Sequence, residues 1–293
     1  MHILDGILTA LIYIAACFVL FIVGKIVYQI FHPKVKVGHE LVEKDNFAFA
    51  TAYVGYYIGL LLAIGSAVIS GDGEEPHHIE DIAYDLIDIG IYGGLAIILL
   101  NLSIIINDKV ILRKFSIKKE ILDDRNVGTG VVEGAMSVAT GLIILGAIHG
   151  EGHGDGGPII TALLYWLLGQ GLLFVTSIVY NAITPYDIHE YIEKDNVAVG
   201  IGFAGAIISI ANLIRFALMH DFDSWIVTLE SVGIDVAIGL VCLPLVRFLT
   251  DKILLPGQKL TDEIINQEHP NNGAALVEAF AYIGGSVLIC WSL

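Results

Sequence analysis

The chain reads EKDNFAFATAYVGYYIG at 43–59 and EKDNVAVGIGFAGA at 193–206. Twice, 150 residues apart, the same Glu-Lys-Asp-Asn stands at the start of a long apolar run. Two further asparagines hold the same place: Asn126 in DRNVGTGVVEGAM (124–136) and Asn271 in PNNGAALVEAFA (270–281). An asparagine there can accept a hydrogen bond from the free N–H groups of a first helical turn. At a membrane boundary such donors are costly to leave bare. Asn46, Asn126, Asn196 and Asn271 therefore read as helix caps.

Outward from these caps the chain resolves into eight apolar runs, at 5–31, 46–70, 82–106, 126–148, 159–182, 196–218, 225–249 and 272–292. Runs of about 20 apolar residues match a ~30 Å hydrocarbon layer. The composition agrees. Hydrophobic residues make up 56% of the chain and charged ones 16%, against about 25% charged in soluble domains. Mean hydropathy is +0.76. The connecting segments are too short for a soluble domain. The expected fold is an all-α polytopic membrane protein with eight transmembrane helices.

Internal repeats organise these runs. ILTALIY (7–13) matches IITALLY (159–165), and each continues to IVY (26–28, 178–180) and a proline, Pro33 or Pro185. DKVIL (108–112) matches DKILL (251–255). The chain thus divides into two four-helix halves, 1–148 and 153–293. The four capping asparagines make the deeper unit a helical hairpin, used four times. Each hairpin starts and ends on one side, so the repeats are parallel, about an axis along the membrane normal.

Of the 15 basic residues, 14 fall on one side of the runs, with Arg215 the exception. The positive-inside rule places those loops in the cytoplasm and both termini outside. MHILDG lacks the basic start of a cleaved signal peptide, so the first run reads as a retained helix. Cys17, Cys242 and Cys290 lie within apolar runs and do not form a disulfide set. The net charge of −16 and the topology leave no role in nucleic-acid binding.

The basic loops, the Asn-led Gly/Ala-rich second helices and the four-helix units with outer termini resemble the DUF350 (UPF0719, YjfL-like) family. DNFAFATAYVGYYIG, DRNVGTGVVEGAM, DNVAVGIGFAGA and PNNGAALVEAFA carry the resemblance, which covers the whole chain as two tandem copies. It implies a multi-pass protein of the bacterial inner membrane with periplasmic termini, loosely associated with envelope stress and membrane remodelling. It implies no catalytic residues.

The second helix of each hairpin carries small residues four apart: Gly55/Gly59, Gly130/Gly134, Ala198/Gly202 and Ala275/Ala279. Such faces let helix backbones approach closely in lipid. They predict a packed inner ring of second helices inside an outer ring of bulkier first helices.

Ionisable groups inside spanning helices cost about 2.5–3.5 kcal/mol each on insertion scales, so each one asks for a reason. Glu133 and Glu278 stand seven residues after Asn126 and Asn271, about 10 Å into their helices at 1.5 Å per residue. Two-fold pseudosymmetry would bring them together, able to share a proton, hold a cation or pass protons. A packing reading stands beside it, with protonated carboxyls bonded to a facing helix. Thr129, Ser137 and Thr140 share the face of Glu133, and Tyr282 accompanies Glu278. Tyr53 and Phe203 hold the same place in the other two hairpins. Asp235 is the deepest acid. Arg215 is expected to pair with Glu230 or Asp223, and Asp85 and Asp88 to be solvated or capping.

The outer loops are acidic and rich in histidine. His77, His78, His149 and His153 are weak metal candidates, because their spacing is not that of a closed zinc site. No metal or other cofactor is expected. The inner segment 108–125 suits anionic lipid headgroups or a cytoplasmic partner. No phosphate loop, nucleophile elbow or zinc-protease helix occurs, so no enzyme is expected. Two functions remain. One is proton or cation conduction, or proton coupling, through Glu133, Glu278 and Asp235. The other is a non-transporting scaffold, docking partners or lipid through its basic loops, and possession of a homo-oligomeric state suits either.

Overall fold

The structure is a computed structural model that describes residues 2–69, 79–111, 116–149, 153–220, 222–255 and 257–292. Every regular element in these residues is helical. The long helices are α1 (His2–Phe31), α2 (Phe47–Ile69), α3 (Ile79–Val110), α5 (Val127–His149), α6 (Pro158–Ile183), α8 (Val197–Leu218), α9 (Trp225–Leu249) and α11 (Asn272–Ser292). Short helices α4 (Ile117–Leu122), α7 (Ile188–Glu193) and α10 (Leu260–Ile265) precede α5, α8 and α11, and a π-helical turn at His39–Glu43 precedes α2. Among the described residues, eight helices are long and apolar enough to cross a membrane.

The opening motif acts at each junction. The short segment buries its apolar residues, such as Ile117 and Ile121, Ile188 and Ile192, or Leu260 and Ile264. The chain then turns through a left-handed residue at Asp45 (φ 49°), Arg125 (φ 55°) and Asp195 (φ 58°). The asparagine follows. Its Oδ1 accepts from the backbone N–H three residues on, at Phe49 (3.1 Å), Thr129 (2.7 Å), Val199 (3.0 Å) and Ala274 (3.0 Å). Its Nδ2 then reaches the next hairpin. Asn46 donates to the Ile121 carbonyl (2.8 Å), Asn126 to Ile192 (2.7 Å) and Asn196 to Ile264 (3.0 Å). One side chain both caps a helix and ties successive hairpins together. Asn271, with no hairpin after it, donates instead to Glu263 of its own hairpin (2.8 Å).

The second helices pack as a row in the order α2, α5, α8, α11, and this corrects the expected inner ring. Glycine sets the spacing. A methyl built on Gly55 would stand 2.2 Å from Gly134 Cα, and one on Gly205 would stand 2.4 Å from Ala279 Cα. The inner faces are therefore backbone against backbone. The two ends of the row are built differently. Eight residues after the asparagine, Gly134, Ala204 and Ala279 are small, but α2 has Val54. Nine residues after it, Gly55, Ala135 and Gly205 are small, but α11 has Phe280. Val54 and Phe280 are exposed, so the close-packed face ends with them. A ring would have needed small residues there. The core window of α8 is 83% buried and that of α11 39%, as a row with a free end requires.

The first helices flank this row: α1 and α3 lie beside α2, and α9 beside α8 and α11. The α6 helix bridges the halves, where Trp166 Nε1 donates to Ser103 Oγ of α3 (2.7 Å). Tyr56, whose hydroxyl donates to the Gly24 carbonyl (2.9 Å) and accepts from Asn101 (3.1 Å), fixes α1, α2 and α3 together.

Candidate functional site: two diverged carboxyl sites

Glu133 and Glu278 do not meet, because α8 stands between α5 and α11 in the row. Each is the centre of its own half, and the two centres have diverged.

In the first half, Glu133 is buried on α5 and in hydrogen-bond contact with Asp108 near the end of α3. Two carboxyl groups that touch need a proton or a cation between them. Beyond that mutual contact, neither Glu133 Oε2 nor Asp108 Oδ1 receives a hydrogen bond from another residue. The pair opens onto a cavity of about 390 Å³. Tyr28, Phe31, Phe49, Ile104 and Ile121 wall it. His32 and the exposed Lys34 and Lys118 line its solvent side. Burial holds the His32 imidazole below its ordinary range, and the charge of Lys118 adds to that, so the ring is neutral at pH 7. Thr129 and Thr140, buried on the same helix, have unpartnered hydroxyl oxygens, and Ser137 is buried beside them in sequence. Tyr53 belongs to an aromatic cluster in this half. Its ring lies 5.2 Å from Tyr28, and its hydroxyl is 2.5 Å from that of Tyr57.

In the second half the acid is held. Arg247 Nη1 of α9 donates to Glu278 Oε1, and the Tyr282 hydroxyl donates to the same oxygen (3.0 Å). Arg247 Nη2 also donates to Thr261 Oγ1 (3.2 Å). The guanidinium stands over the Tyr186 ring, 5.8 Å from its centroid. Burial pushes the Tyr186 hydroxyl up to about 12, although Arg247 pulls the other way. Gly202 makes room for the site. A methyl there would meet Glu278 Oε2 at 2.7 Å and the Tyr180 hydroxyl at 3.2 Å.

Asp108, Arg247, Tyr28 and Tyr180 are site residues that sequence reasoning missed. The repeat carried a signal for each. Tyr28 and Tyr180 close the two IVY motifs, and Asp108 opens DKVIL. Arg247 stands four residues before DKILL, where the first half has Ile104.

The remaining candidates stay apart from these centres. Asp235 is buried on α9 within electrostatic reach of His220, not of either glutamate. The expected ion pair of Arg215 with Glu230 or Asp223 does not form. Arg215 lies along its own helix, where it donates to Asn212 Oδ1 (3.1 Å) and contacts Met219 Sδ (3.0 Å). Glu230 is exposed on α9. Asp85, expected to be solvated or capping, instead accepts from the Tyr13 hydroxyl of α1. His149 Nδ1 is buried without a partner, and His153 Nδ1 lies 3.2 Å from the Gly154 carbonyl. Among the described residues no three His, Cys, Asp or Glu side chains cluster as metal ligands. His77 and His78 lie outside the described residues. So do residues 112–115 of the basic segment.

A family model described as Domain of Unknown Function (DUF350) matches the chain twice, over residues 2–148 and 156–293. A UPF0719 transmembrane protein of Aquifex aeolicus (strain VF5) is 22% identical over 270 residues, covering 91% of this chain and 94% of that protein. No solved structure matches significantly. Two matches that together span nearly every residue, meeting where the internal repeat divides the halves, make this chain a tandem member of the DUF350 family.

Proposed function

We propose that this integral membrane protein exchanges a proton or a cation at the Glu133–Asp108 pair, as the intramembrane step of proton- or cation-coupled transport. One observation carries the reading. Glu133 and Asp108 touch beside an open cavity, with no ion pair to a basic residue among the described residues, whereas the counterpart Glu278, whose Oε2 is likewise unbonded, is neutralised by Arg247. A purely structural acid is expected to look like Glu278. Intramembrane ionisable groups mark ion and proton pathways. The basic loops, Lys34 and Lys118 among them, put the mouth of the cavity on the cytoplasmic side by the positive-inside rule, in a bacterial inner membrane with periplasmic termini.

The rival reading is a scaffold that works through segment 108–125. In its favour, Lys118 and Lys119 are exposed on a helix whose Ile117 and Ile121 are anchored in the protein.

Reconstituted liposomes with an internal pH dye, under H⁺, K⁺ and Na⁺ gradients in turn, test the first reading. Flux that Glu133→Gln or Asp108→Asn abolishes supports it. No flux from well-folded protein under any gradient removes it. In that case, loss of an envelope phenotype on neutralising Lys118 and Lys119 would favour the scaffold.

A further inference from the structure

The two halves place different things beside equivalent acids. In the second half, Arg247 brings an organic cation on an aliphatic stem to Glu278, with an aromatic ring beneath it. In the first half the position of Arg247 is Ile104, which lines a cavity of about 390 Å³. That size is within the range of small-molecule sites, about 300–1,000 Å³. Glu133 and Asp108, in contact with each other, are among the residues that line it. Its walls are aromatic and aliphatic.

We propose that this cavity binds a hydrophobic organic cation, with the charged head on the Glu133–Asp108 pair and the apolar body against Phe31, Phe49, Ile104 and Ile121. The proposal rests on the exchange reading above and names its ligand class. Three features select that class. Two touching carboxyl groups whose Glu133 Oε2 and Asp108 Oδ1 receive no hydrogen bond from another residue call for a proton or a positive charge. Phe31 makes part of the wall aromatic, beside Tyr28 and Phe49, whose rings stack on His32 and Tyr53, and aromatic rings attract cations. The walls supply no oxygen set for a small metal ion, which takes six or more oxygen ligands in the case of Ca²⁺. Lys34 and Lys118 line the cavity and are exposed. They disfavour small hydrated cations at the mouth, so apolar contact has to supply much of the affinity. The neutral His32 leaves no fixed positive charge at the inner end of that rim.

The probe is benzyltrimethylammonium, with neopentylbenzene as its uncharged isostere, measured by equilibrium dialysis on the full chain in detergent. The wild type should bind the cation and not the isostere. Glu133→Gln should weaken binding by about tenfold or more, which is 1.4 kcal/mol. Ile104→Arg copies the arrangement of the second half. It should fill the cavity with a tethered guanidinium and abolish binding while both carboxyl groups remain, so a loss seen only in Glu133→Gln would not suffice. Binding of the cation no tighter than the isostere, or undiminished in Ile104→Arg, would overturn the proposal. Infrared spectra of the same protein separate the two levels of argument. A carboxyl band that responds to pH, lost in Glu133→Gln, without cation binding leaves the exchange reading and removes the ligand class. A band that never responds to pH or to the probe removes both.

Discussion

Ile104 and Arg247 occupy the same position in the two halves of the chain, and they give equivalent glutamates opposite surroundings. Ile104 leaves Glu133 beside a cavity, whereas Arg247 neutralises Glu278. The Glu278 side chain is fully buried. Removing its guanidinium partner strands a buried charge, which costs about 3–5 kcal/mol. Arg247→Met should therefore lower the thermal midpoint of the detergent-solubilised protein sharply. Arg247→Met combined with Glu278→Gln should recover most of that loss, because the charge is gone from both sides. A double variant as unstable as the sum of the two single ones would mean that the pair is not coupled.

The asparagines differ in what they hold, and their substitutions should differ accordingly. Asn126→Ala removes the cap on Thr129 and also the donor to the Ile192 carbonyl of the next hairpin. The cap contributes about 0.5–2 kcal/mol. A buried carbonyl left unpaired costs about 1–3 kcal/mol more. Asn271→Ala removes a cap and a bond to Glu263 at the surface, so it should cost only the first amount. Chemical unfolding of the two variants side by side gives the comparison, and equal losses would deny the staple role.

Much of this was written in the sequence. The repeated asparagines locate the hairpins, and counting seven residues from each finds both buried glutamates. The partners were hidden for physical reasons. Asp108 lies past the end of the apolar run at 82–106, where acids are ordinarily solvated, but α3 continues to Val110 and carries it against Glu133. Arg247 sits near a helix end, where a basic residue is explained by topology alone. The row was misread as a ring because small residues four apart say that a helix has a close neighbour, not which face that neighbour covers. Val54 and Phe280, large where their counterparts are small, were the sign that the row has ends.

The row makes its own prediction. Gly55 has no space for a side chain, since its Cβ would sit 2.2 Å from the Gly134 backbone. Gly55→Val must push α2 and α5 apart. Overpacking of this kind typically costs about 1–3 kcal/mol, and here backbone on both sides limits relief. Val54→Leu, one residue away on the exposed end face, should be close to neutral. The measurement is the thermal midpoint together with the yield of monodisperse protein. A harmless Gly55→Val would mean that α2 and α5 do not approach as closely as described.

The surface junctions give a pH-dependent prediction. Glu40 stands in the turn before α2, outside the spanning helices. Burial opposes its ionisation, but hydrogen bonds from Lys44 (2.8 Å) and Asn46 (3.1 Å) outweigh that and hold its carboxyl below the usual carboxylate range. A carboxyl with a depressed folded-state pKa adds stability above its unfolded value, about 4.3 for glutamate. That contribution is lost as pH falls through the lower folded value. Glu40→Gln should therefore destabilise the protein at pH 7, and the gap to wild type should close as the pH is taken below about 4. Glu43→Gln is the control, since Glu43 is exposed and its contact with His39 lies at the surface, where such pairs contribute about 0–1 kcal/mol. A Glu40→Gln deficit that persists undiminished as the pH is taken well below about 4 would assign Glu40 a packing role in place of an ionic one.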